Sequence, residues 1–157
     1  RLIIPDIDKT PTENDDFPED RVEIRTKNFD YIVTNGLLVI FFTNKATYSQ
    51  GENIRLNLIK VNLNKSPIKL SYNTSQQADF TAYRQNRRIW TWSRDQLFNQ
   101  VTKTITLDPE RNQIIKEIWN QQNNEGEQIP TGIYRIRGWN LAEKLEDNKL
   151  DIFIRIE

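Results

Sequence analysis

Tyr31-Ile32-Val33-Thr34-Asn35-Gly36-Leu37-Leu38-Val39-Ile40-Phe41-Phe42 is the stretch that decides the fold class. Two runs rich in β-branched, aromatic and leucine side chains flank an Asn-Gly pair. That pair is favoured in type I′ turns because both central positions need positive φ. The stretch therefore predicts a tight β-hairpin. Leu37 to Phe42 is also the longest apolar run, at six residues. A membrane-spanning helix needs about 20, so no segment here is predicted to span a bilayer.

Working outward, the same period of two recurs. Val22 and Ile24 suggest a short strand before the hairpin. In Ile54 to Val61, Ile54, Leu56 and Leu58 share one face and Arg55 and Asn57 the other. Asn62 to Pro67 reads as a turn, and Ile68 to Tyr72 alternates again. Asp79 to Tyr83 and Ile89 to Trp92 read as strands around a loop of Gln85, Asn86, Arg87 and Arg88. Ser93 to Gln100 lacks alternation and is expected to hold one helical turn, with Ser93 as cap and Gln96 as its capping-box partner. Val101 to Leu107, Gln113 to Trp119, Gly132 to Trp139 and Leu150 to Ile156 complete the strands. Asp108-Pro109 is a turn, Gln121 to Gln128 a polar loop, and Leu141 to Asn148 a charged link or short helix. About 8–10 short strands with regular turn signals and no long helical stripe point to an all-β antiparallel sandwich.

Composition narrows the function. The chain has 157 residues, 36% of them hydrophobic and 28% charged, enough for one domain with a real core. Cysteine and histidine are both absent. No disulfide framework, thiolate metal site or imidazole-based triad is available. Carboxylates at Glu125 and Glu127 or in the acidic arm leave calcium as the one metal reading, but the EF-hand pattern is missing, so neither a metal nor any cofactor is expected. Residues 1–20 carry seven acids and two bases, net −5, with Pro5, Pro11 and Pro18. They read as a loosely ordered acidic tether ahead of a sandwich domain at 21–157, which is net +5. Methionine is missing even at position 1. A processed or trimmed chain is expected; it fits an exported or cell-envelope protein slightly better than a cytoplasmic one, and the sequence does not name the compartment.

A recognisable series of residues runs through the middle of the chain. It comprises Asp79-Phe80, Ile89-Trp90-Thr91-Trp92-Ser93 and Phe98, then Leu107-Asp108-Pro109-Glu110, Trp119, Gly126, Pro130, Gly132, Tyr134 and Gly138. In order and spacing, the stretch from about 54 to 140 resembles the BsuPI-type intracellular proteinase inhibitor family. The half from Trp119 to Tyr134 also recurs in other bacterial immunoglobulin-like modules; Asp79-Phe80 with Trp90-Thr91-Trp92-Ser93 is the more discriminating half. Glu110 departs from the pattern, which usually has glycine there. The resemblance implies an immunoglobulin-like sandwich and a serine protease as protein partner, the name-giving activity being inhibition of a subtilisin-like protease.

The signature residues Asp79, Phe80, Trp90, Trp92, Ser93, Phe98, Trp119, Gly126, Gly132 and Tyr134 are expected to be structural. Trp90 and Trp92, two apart, are expected on one buried strand face. Tyr134 is expected to bond a backbone group upstream, like a tyrosine corner. Ser93, with no histidine to activate it, is no catalytic nucleophile, and no enzyme is expected. Arg84, Arg87, Arg88 and Arg94 lie near aromatic rings. The modest charge and the lack of a recognition motif argue against nucleic acid. The candidate protease contacts are Gln128 and Ile129, in the extended loop Asn123 to Thr131, and Arg87 and Arg88; the resemblance assigns a reactive bond to none of them. The alternative function is a non-inhibitory immunoglobulin-like structural or adhesion module of a bacterial cell-envelope protein.

Overall fold

A computed structural model describes residues 25–157. The acidic segment 1–20 and the strand expected around Val22 and Ile24 lie outside the described residues.

The described residues form eleven strands and one short 3-10 helix (Trp92–Asp95). The strands are β1 (Phe29–Thr34), β2 (Leu37–Thr43), β3 (Thr47–Tyr48), β4 (Ile54–Asn62), β5 (Ile68–Tyr72), β6 (Ala78–Arg84), β7 (Arg87–Thr91), β8 (Lys103–Leu107), β9 (Asn112–Trp119), β10 (Gly132–Asn140) and β11 (Leu150–Ile156). The all-β expectation holds. One sheet has the order β1-β2-β4-β9, a second β3-β11-β10-β6-β7, and β5 pairs with β8 apart from both. The pairing is antiparallel except that β3, which the sequence did not announce, runs parallel to β11. Lys27, ahead of β1, pairs with Phe153 of β11, so the chain leaves the second sheet as it enters the first.

The predicted hairpin is present: Thr34 pairs with Leu37, and Asn35 and Gly36 have φ 51° and 75°. A side chain on Gly36 would collide with the Asn64 amide. The loop expected at Gln85–Arg88 is shorter than predicted. Gln85 and Asn86, at φ 50° and 63°, form a second two-residue turn of the same kind, and Arg87 and Arg88 already belong to β7. Ala82 pairs with Trp90 and Tyr83 with Arg88, which leaves Ile89 as the extra residue of a β-bulge.

Alternation fixes which residues face the core. β2 and β4 bury every second residue, as do β10 and β11. The two sheets meet face to face. The Phe41 ring of β2 lies 5.7 Å from that of Phe80 of β6, centroid to centroid, and a side chain on Gly138 of β10 would crowd the Phe41 ring at 3.0 Å. Trp119 of β9 stacks on Trp90 of β7 at 5.3 Å and meets Tyr134 of β10 edge-on at 5.9 Å. Trp119 has no exposed surface at all, so it joins both sheets across the core.

The same alternation carries Lys60 inward, in line with Ile54, Leu56 and Leu58. It is 1% exposed and no carboxylate pairs with it among the described residues. Its Nζ donates to the Tyr72 hydroxyl at 2.8 Å, which in turn donates to Asn140 Oδ1 at 3.0 Å. Burial pulls the Lys60 amine down from 10.5 to about 7.

Candidate functional site

The signature residues fall into two knots. In the first, the Asp79 carboxylate accepts the Phe80 N–H at 2.8 Å, the Ser93 N–H at 3.1 Å and the Ser93 hydroxyl at 2.6 Å. Phe80, Trp92 and Phe98 form a chain of rings with centroids 6.0 and 5.8 Å apart. Together these pin the 3-10 turn Trp92–Asp95 against β6. Two expectations need correction here. Trp92 is not on the strand with Trp90: the strand stops at Thr91, and Trp92 opens the 3-10 turn half-buried. Ser93 is not a cap: it lies inside the turn with its hydroxyl taken by Asp79, and Thr91 occupies the N-cap position without a side-chain bond. A serine whose proton is committed to a carboxylate in this way serves as a fastener.

The second knot is the loop from Asn120 to Thr131, between β9 and β10. Gln121, at φ 62° and fully buried, is its hub. Its side-chain amide donates to the Ser49 and Glu52 carbonyls at 2.8 Å each and accepts the Gly51 N–H at 2.9 Å. Asn123 Oδ1 accepts the Glu125 and Glu127 N–H groups at 3.0 and 2.9 Å. Asn124 bonds both backbone groups of Thr91 and also donates to Asp95 Oδ2 at 2.9 Å. Trp119 Nε1 donates to the Gln122 carbonyl at 2.8 Å. Tyr134 Oη donates to the Pro130 carbonyl. Gly126, at φ 83°, allows the tip to turn, and nothing crowds it.

The result is a loop held from inside, with Glu125, Gly126, Glu127 and Gln128 exposed at its tip. Ile129 is not among them. It is 3% exposed and packs in the core, while its N–H bonds the Gln121 carbonyl at 3.0 Å. The side chain expected to reach a partner is instead the apolar anchor beneath the tip. Gln128 is exposed, and its amide also reaches Gln121 Oε1 and the Ile129 carbonyl. Arg87 and Arg88 are exposed on β7. The Tyr83 ring is covered by Arg135 at 4.1 Å, with Arg137 at 5.9 Å.

The family model for intracellular proteinase inhibitors, BsuPI, matches residues 41–145. The chain belongs to the BsuPI family. Membership implies proteinase-inhibitor function and a protein partner, and it favours binding over catalysis. No curated protein matches the chain significantly. Solved structures with some likeness include a β-glucosidase from Erythrobacter marinus, with TM-score 0.45, 11% identity, and coverage of 84% of this chain and 16% of that one. The alkylpurine DNA glycosylase AlkC of Pseudomonas fluorescens gives 0.44, 13%, 74% and 29%. The sporulation control protein Spo0M of Bacillus subtilis gives 0.41, 11%, 85% and 50%. This BsuPI-family chain thus spans at most half the length of these proteins, and their activities do not carry over to it.

Among the described residues, no cluster of three or more acidic, histidine or cysteine side chains is placed to hold a metal ion. No helix among them is long and apolar enough to cross a membrane.

Proposed function

We propose that the domain inhibits a subtilisin-like serine protease by occlusion, with the 120–131 loop lying in the protease cleft. The supporting observation is the bracing of that loop. Gln121, Asn123 and Asn124 tie its backbone to the segment 49–52, to itself and to β7. A loop already fixed in one shape loses little conformational entropy on docking. Glu125 to Gln128 would form the contact, with Ile129 holding the loop to the core and Arg87 and Arg88 offering a second exposed patch.

Titration of a subtilisin-type protease with increasing amounts of the domain tests this reading. Loss of activity that ends at one equivalent supports it; digestion of the domain with the protease still active rejects it. Comparing Gln128→Ala with Arg87→Ala/Arg88→Ala then separates the two patches. The loop assignment requires the first change, not the second, to weaken inhibition.

A further inference from the structure

Beside the loop, a groove of ≈630 Å³ runs along the side of the sandwich between β9 and the 3-10 turn. Trp90 and Trp92 contribute aromatic lining, Ile118 adds an apolar side chain that is 51% exposed, and Glu117 and Asp95 supply two carboxylates. Lys116 also lines it, as the one cation in the lining. Glu117 is half-buried, and burial pushes its carboxyl above the ordinary range, opposed by the Trp92 indole N–H. Among the described residues, β9 is the end strand of its sheet and pairs only with β4. An unpaired strand edge exposes backbone donors and acceptors that another extended chain can pair with.

We propose that this groove is a second binding site, taking an extended peptide segment that adds to the free edge of β9 and places a lysine or arginine side chain against Glu117. Three features converge on this ligand. The edge offers main-chain hydrogen bonds at Lys116–Ile118. The tryptophan rings line the same face as Glu117 and cover the stem of the cationic side chain, while Ile118, on the other face of β9, offers apolar cover for the side chains that flank it. The half-buried carboxylate gains most from a cation, because a charge-assisted hydrogen bond in a partly dry site is worth more than one in water. The predominance of carboxylates over the single lysine selects a basic segment over an acidic one. Asp95 is held by Asn124, so the groove adjoins the 120–131 loop. The assignment nevertheless stands without the inhibitory reading, since its ligand is a free peptide and no protease enters the test.

The probe is the acetylated, amidated pentapeptide Thr-Val-Arg-Val-Thr, titrated calorimetrically into the domain. The expected result is saturable binding. Replacing the arginine with glutamate abolishes it, and so does the peptide Thr-Pro-Arg-Pro-Thr, which keeps the charge but loses strand N–H groups. Glu117→Gln is expected to weaken the arginine peptide by about tenfold or more, the loss of one charge-assisted bond. The thermal midpoint of Glu117→Gln shows that the variant is folded. Hydrogen exchange supplies an independent reading: the arginine peptide should slow the amides of 116–118 specifically. No saturable binding of the arginine peptide, equal binding by the glutamate or proline peptides, or unchanged affinity of Glu117→Gln each overturns the proposal.

Discussion

Asn124 closes a pair of hydrogen bonds on the backbone of Thr91, accepting its N–H at 2.8 Å and donating to its carbonyl at 3.0 Å. One side chain thus imitates a neighbouring strand at the edge of β7 and ties the long loop to the second sheet. Asn124→Ala removes both bonds and leaves a partly buried N–H unpaired, which costs about 1–3 kcal/mol. The fold should survive, with a lower unfolding midpoint in urea. Under the occlusion reading, inhibition should fall by more than stability does, because the loop becomes mobile. Equal inhibition constants for variant and parent would show that bracing is irrelevant to binding.

Ile129→Asp is expected to destabilise the domain severely rather than trim a contact. The side chain is 3% exposed, and a carboxylate placed there would be buried without a partner, a loss of about 3 kcal/mol or more. Chemical denaturation measures this directly. Ile129→Val, which removes one methylene, should cost only about 0.5–1.5 kcal/mol.

Stability should rise with pH from about 7 to about 10 because of Lys60. Its folded value lies near 7 and its ordinary value at 10.5. Between these the unfolded chain binds the proton and the folded chain does not, so raising the pH favours folding. Below about 7 both states are protonated, and the full penalty for burying the charge remains. A rise of about 2–4 kcal/mol over the window follows from the size of the shift. Above 10 the trend should reverse, since burial raises Tyr72 and Tyr134 and the unfolded chain loses those protons first. Lys60→Met should flatten the window and stabilise the domain at neutral pH, as measured by denaturant midpoints across pH.

Glu110→Gly should stabilise the domain slightly. Pro109 and Glu110 are the central residues of a turn in which the Arg111 N–H bonds the Asp108 carbonyl at 3.1 Å, and Glu110 is held at φ 62°. A left-handed conformation costs a side-chain-bearing residue roughly 1–2 kcal/mol. Glycine removes that cost but adds about 0.4–1 kcal/mol of chain entropy to the unfolded state. The expected net gain is about 0.5–1 kcal/mol, seen as a small rise in thermal midpoint. The resemblance marked this position by its missing glycine; the dihedral supplies the physical reason.

The strands were legible because their signals are local. Asn35-Gly36 allows only a narrow set of turns, and a period of two states which side chains face inward. Continued past Leu58, the alternation of β4 also places Lys60 inside, against the usual surface preference of lysine. The candidate site was less legible. Ile129 looked like an exposed residue of a polar loop, and its local neighbours give no hint that it turns inward. Gln121 and Asn124 looked like unremarkable amides in an amide-rich stretch. Their roles depend on the carbonyls of Ser49 and Glu52 and the backbone of Thr91, which are distant in sequence.

By itself the sequence determined the class of the molecule: a cysteine- and histidine-free chain of alternating strands with the series of residues typical of the family. Local propensity and periodicity suffice for that, because each strand declares itself within a few residues. Only the tertiary structure decided which polar residues brace a loop, which isoleucine anchors it and which strand edge stays open. Those outcomes arise from contacts between segments tens of residues apart, and an amide or an isoleucine has the same local appearance whether such a partner arrives or not.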